Sequence, residues 1–360
     1  MLTPDEIEGL SGPLLDKAAK IEAETRAKMA DGVSKAINSG HSNSDKIIRD
    51  ILADGQKVIR ESSKVISDTM ADAASTALGR DEAAYSAARA AGVIGPYEPY
   101  SDSAVLGRIL ADGISTAADL NNLVMTAALN SMSAEYSATV DAALLRMLSG
   151  AQTPQHAIAE AVENIARTTT HITFRTAAGQ EVRSTIYAAV RRNVMTGANQ
   201  ATLRMQEARM REVGAKWVEI SAHSGARPEH AEWQGEIMLF EDLPAKTGYG
   251  DVAGLGGANC RHSFSPYFPG IMEPADYSHL DSRDGQEDYD LSQRQRTAER
   301  NIRTYSAREA VYSAAGDAAQ AERNAALAQK WRAQARDVAR KRSGAVRRDR
   351  QAIYPGEERI

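Results

Sequence analysis

Four side chains able to hold a soft metal ion or attack a substrate lie between positions 223 and 262: His223, His230, Cys260 and His262. Three imidazoles and one thiolate form a donor set that tetrahedral zinc accepts. Their spacing, H-x6-H followed by C-x-H, differs from the C-x2-C and H-x3-H spacing of strong zinc signatures. If the C-x-H segment is extended, alternation puts Cys260 and His262 on one face, where a metal can clip them together. The same residues can instead serve as polar scaffolding across a glycine-rich turn, with Asn259 in a left-handed conformation and Arg261 bracing the loop. Within the metal reading a closed structural zinc site is expected, because no H-E-x-x-H frame supplies a general base.

Cys260 is also a candidate nucleophile for a hydrolase. That chemistry needs a histidine base, a third orienting group and an oxyanion hole, of which the sequence shows only the first. The run Gly254-Leu255-Gly256-Gly257 lacks the G-x-x-x-x-G-K-[ST] frame of a phosphate loop. Trp233 can anchor a binding edge beside Arg227-Pro228 and Gln234-Gly235, or fill a small core.

The elements that must position these residues are set by proline, glycine and hydrophobic period. No proline occurs between Pro13 and Pro96, between Pro99 and Pro154, or between Pro274 and Pro355, so three long stretches are free to be helical. The pairs Ile51/Leu52, Val58/Ile59 and Val65/Ile66 recur every seven residues, the mark of a helix with one apolar stripe, and Gly55 and Ser62 occupy the complementary seam. Gly92 to Tyr100 breaks the helix. Leu120, Val124, Ala128, Val140, Leu144, Met147 and Leu148 predict a second buried stripe. Gly150 ends that element, and Thr153-Pro154 opens the next as cap and first-turn residue. His171–Arg175 and Glu181–Ser184 read as a hairpin turning at Gly179, followed by a helix from about 184 to 212 and a short strand at 217–221.

Between Gly214 and Gly270 fall nine of the 26 glycines, two of the three tryptophans and three of the four phenylalanines. A compact, turn-rich core is expected there. Helix returns from Leu291. The resulting fold class is mainly α with a small α+β middle domain, organised as a helical N-terminal region (1–165), elongated and Ala-rich, a compact core (166–285) and a basic helical tail (286–360).

Across 360 residues the net charge is −5, yet residues 291–360 hold sixteen Lys and Arg against eight Asp and Glu. That part carries +8 and leaves −13 for residues 1–290. Arg332, Arg336 and Arg340 fall on one helical face, beside Lys341, Arg342, Arg347 and Arg348, a stripe suited to nucleic acid or to an acidic protein surface. The single cysteine excludes an internal disulfide, and no apolar run approaches a membrane span. No membrane partner and no secretory leader are expected, and folding in the cytosol is the expectation.

The run Ile220-Ser221-Ala222-His223 through Arg227-Pro228-Glu229-His230, then Trp233-Gln234-Gly235, Tyr249-Gly250-Asp251 and Gly257-Ala258-Asn259-Cys260-Arg261-His262, resembles the phage minor capsid protein 2 family, related to the F-type head morphogenesis proteins of Mu-like phages. The hairpin around Gly179 and the segment from Gln293 to Arg303 look like the family in order and spacing. The resemblance covers residues 165–310 and is architectural before that. It departs in the expanded alanine content before residue 150 and at Val194-Met195-Thr196, where relatives often carry an Arg-Thr pair. The resemblance implies a non-enzymatic virion protein present in few copies at the portal vertex and head interior, aiding head assembly or genome packaging. It implies portal protein, major capsid protein and further copies of itself as partners, and offers no catalytic residues to carry across. A metal- or cysteine-dependent hydrolase delivered during infection is the alternative.

Overall fold

The computed structural model describes residues 1–341 apart from 169, 176–178, 180, 279 and 281. Arg342, Arg347 and Arg348 of the basic stripe lie outside the described residues. The chain is mainly α with a small α+β part, as its sequence predicts. In order come α1 (Pro4–Gly9), α2 (Gly12–Ser39), α3 (Ser44–Ala90), α4 (Ala104–Leu148), α5 (Pro154–Arg167), strands β1 (His171–Arg175) and β2 (Glu181–Thr185), and α6 (Ile186–Val213). Then follow β3 (Trp217–Ile220), α7 (Pro228–Ala231), β4 (Ile237–Leu239), α8 (Leu243–Thr247), β5 (Phe264–Tyr267), α9 (Ser282–Ala314) and α10 (Ala318–Lys341). Among the described residues no helix is long and apolar enough to cross a membrane.

Local chemistry sets these boundaries. Thr3 caps α1 in a reciprocal capping box with Glu6, and Thr153 Oγ1 accepts the His156 N–H with Pro154 in the first turn of α5. Gly150 and Gly214 stop helices at positive φ, +75° in each case. The hairpin pairs Arg175 with Glu181 across Gly179, which sits at φ +78°.

The chain divides into two compact units, each assembled from separated segments. The first contains Met1–Ser11, Ser63–Leu120 and Arg191–Ser292. Its sheet is antiparallel in the order β4-β3-β5, with Val218 opposite Met238 on one side and Pro266 on the other. Val218, Ile220, Phe264 and Leu255 form its core with Tyr85 of α3 and Met210 of α6.

The second unit contains Gly12–Ser62, Asn121–Val190 and the described residues from Gln293 onward. Ile51 and Val58 of the predicted stripe on α3 are buried. Gly55 explains why its seam departs from a leucine zipper: a Cβ there would lie 2.2 Å from Leu129 of α4, so the missing side chain admits the neighbouring helix. Ser62 Oγ donates to its own helix at Val58 O (2.7 Å) and so enters the seam satisfied. Arg26 of α2 is buried, donating to Ile165 O (2.8 Å) and Thr170 Oγ1 (2.7 Å), and it pairs with Glu135 at 3.3 Å.

The second predicted stripe needs correction at its ends. Val124, Ala128, Val140 and Leu144 are buried as expected, whereas Leu120 and Leu148 are 44% and 69% exposed. At about 100° per residue, Leu148 falls with Leu123 and Leu145 on the face opposite Met125, Leu129, Met132 and Tyr136, which are buried. Overfilling the α3–α4 seam should be costly. Gly55→Val is expected to lower stability by roughly 2 kcal/mol through overpacking, measured by chemical denaturation; an unchanged midpoint would contradict the seam geometry.

Candidate metal centre

Three of the four predicted ligands converge. His230 on α7, Cys260 and His262 are all buried, and one ligand atom from each falls within 4.8 Å of the other two. Cys260 Sγ lies 3.7 Å from His230 Nδ1 and 3.6 Å from His262 Nδ1. Cys260–His262 have no regular secondary structure and run from the turn at Ala258-Asn259 to β5, which begins at Phe264.

That turn is built by close backbone approach. A Cβ on Gly257 would sit 2.3 Å from Val252 O, and one on Gly254 would sit 2.0 Å from Gly248 O, so both positions exclude any side chain. Asn259 takes φ +58°, the one positive-φ non-glycine among the described residues, and asparagine tolerates this conformation better than most residues. Helix α6 then clamps the turn: Thr196 Oγ1 accepts the Asn259 N–H (3.2 Å), and Asn199 Nδ2 donates to His262 O (3.1 Å). Arg227 donates to Ala258 O (2.7 Å) from the other side.

The hydrogen-bond partners settle the tautomers of both histidines. Gln234 Oε1 accepts the His223 backbone N–H (3.1 Å), which identifies it as the oxygen. His262 Nε2, 3.1 Å from that oxygen, must therefore carry its proton. His230 Nε2 lies 2.8 Å from the carbonyl of Ala253 and must donate as well. In neutral rings each Nδ1 then presents a lone pair, and both lone pairs face the same thiol.

Electrostatics keep the rings neutral. Burial, then the neighbouring histidines and the guanidinium groups of Arg261 and Arg227, push His262 down to about 2. Burial and Arg261 push His223 down to about 3, and burial also lowers His230. Burial raises the Cys260 thiol above its usual value. Trp233 is buried against this group, its ring 4.7 Å from that of His230 and 4.9 Å from that of His262, so it fills the core instead of anchoring an outside partner.

His223 stands apart from the three convergent residues. Its ring stacks on His262 at 4.4 Å, and its Nδ1 lies 2.9 Å from Ser224 O and 3.0 Å from an Arg261 guanidinium nitrogen. A neutral Nδ1 serves only one of these, by donating to the carbonyl or accepting from the guanidinium. Either way that nitrogen is turned from the cluster.

Sequence reading missed several supporting groups. The buried carboxylate of Glu8 joins Arg261 (2.9 Å) and Arg191 (3.1 Å), and Ser263 Oγ donates to Leu2 O (2.6 Å), which brings the α1 segment against the histidine turn. Nothing in the local pattern around Glu8 announces a partner some 250 positions away. Gln234 was visible within Trp233-Gln234-Gly235, but its role as orienting acceptor depends on the fold of the turn.

Of the basic stripe, Arg332, Arg336, Arg340 and Lys341 lie on α10. Arg336, Arg340 and Lys341 are exposed, whereas Arg332 is half-buried and donates to Ser306 Oγ (3.2 Å). Trp331 and Ala335 pack against Ala298 and Ile302 of α9, which fixes the helix with its basic side outward.

Removing the Glu8 carboxylate leaves two largely buried guanidinium groups without it. Glu8→Ala is expected to cost about 3 kcal/mol, the lower end for breaking a buried ion pair, read from urea unfolding of the full chain. A loss below about 0.5 kcal/mol, typical of surface sites, would show that the bridge does not hold α1.

Over residues 35–339 the chain matches a family model described as Phage minor capsid protein 2. No curated protein and no solved structure matches it.

Proposed function

The chain belongs to the phage minor capsid protein 2 family, and we propose that this structural capsid protein acts at the portal vertex, joining portal protein to the head interior during assembly. The observation that carries the reading, beyond family membership, is a set of exposed leucines on one side of α4. Leu123, Leu145 and Leu148 are 67%, 70% and 69% exposed, and that side also carries Ala127, Asn130, Ala134 and Asp141. Leucines displayed along one side of a helix suit an apolar groove on a partner. Work divides along the chain: residues 1–165 carry the contacts to portal protein, major capsid protein and neighbouring copies, 166–285 form the rigid core, and 286–360 the basic tail.

The buried cluster supports a structural role over a hydrolytic one. Cys260 is 2% exposed and its thiol is raised by burial, the opposite of the accessible, low-pKa thiolate a nucleophile requires.

Replacing Leu123, Leu145 and Leu148 together by Glu should leave folding intact, since all three are exposed. Burial of three leucines is worth several kcal/mol, so incorporation into purified heads should fall at least about tenfold. Wild-type copy number in those heads would refute the partner face.

The exposed Arg336, Arg340 and Lys341 favour a second activity, contact with packaged DNA. The Arg336→Ala/Arg340→Ala double variant should flatten the plot of log affinity for duplex DNA against log salt by about 1.8, at roughly 0.9 per phosphate contact. An unchanged slope would assign the stripe to a protein surface.

A further inference from the structure

We propose that His230 Nδ1, Cys260 Sγ and His262 Nδ1 bind one zinc ion, with water as the fourth ligand, and that the ion locks the histidine turn. This goes beyond the capsid role and stands independently of it. The first argument is distance. Zinc bonds of about 2.3 Å to sulfur and 2.0–2.1 Å to nitrogen at a tetrahedral angle place sulfur and nitrogen ligands about 3.6 Å apart. The two Sγ–Nδ1 separations are 3.7 and 3.6 Å.

The second argument is the proton count. Both Nε2–H groups are committed, to Ala253 O and Gln234 Oε1, so two Nδ1 lone pairs meet a thiol with one hydrogen. The thiol can satisfy one of them. A cation satisfies both, with the thiol proton released to solvent and the thiolate as third donor. Donors holding the far nitrogen of each ring are also what orients imidazole ligands at metal sites.

The third argument is softness. One thiolate and two imidazoles without a carboxylate in the group suit zinc and disfavour magnesium or calcium. Because the convergent group of ligand atoms holds His230, Cys260 and His262 but not His223, the proposed ligand set from this chain is these three residues.

The test uses the full chain, purified without chelators. Metal analysis should return about one zinc per chain, and replacement by Co(II) should produce a thiolate-to-cobalt charge-transfer band. Cys260 is the only cysteine, so that band reports this site even if ligand variants fail to fold. Cys260→Ser should abolish the band, and His223→Ala should keep it. Folded wild-type protein that neither carries zinc nor takes up one equivalent of zinc or cobalt would overturn the proposal. Loss of the band in a folded His223→Ala variant would overturn the three-residue ligand set.

Discussion

A buried thiol has one proton to offer, and here two imidazole lone pairs face it. That shortage organises the residues around it. Gln234 and the Ala253 carbonyl fix which nitrogen of each ring points inward, and Asn199, Thr196 and the left-handed Asn259 fix the turn that carries Cys260 and His262. Leaving a buried acceptor without a partner costs about 1–3 kcal/mol. A zinc ion removes that cost and ties α7 to the turn through bonds that survive local fluctuation.

The same logic extends outward through charge. The centre is flanked by guanidinium groups from Arg227 and Arg261, and the Glu8 carboxylate pairs with both Arg261 and Arg191. An N-terminal carboxylate thereby becomes part of the support of a site more than 200 residues later. In the role proposed for this capsid component, the centre would supply rigidity, and the exposed leucines of α4 and the basic side of α10 would supply contacts.

Much of this was legible from sequence wherever the cause is local. The Thr153-Pro154 cap, the hairpin at Gly179, the stop at Gly214 and the heptad stripe from Ile51 each follow from a few adjacent residues, and each formed. The family resemblance rested on the His-Cys motifs and agrees with the match over residues 35–339. What was not legible depends on distant partners. Leu120 and Leu148 fit a buried stripe by spacing, yet helical phase over a 45-residue helix puts them in solvent. Spacing also cannot show that the His223 ring stacks on His262. Division into units built from three separated segments each leaves no trace in composition.

X-ray absorption at the zinc edge, recorded on the full chain, tests the centre most directly. The account predicts one sulfur at about 2.3 Å and nitrogen scatterers at about 2.0–2.1 Å, with two imidazoles in the fit. A zinc shell of light atoms only, with no sulfur, would place the metal elsewhere and contradict the account.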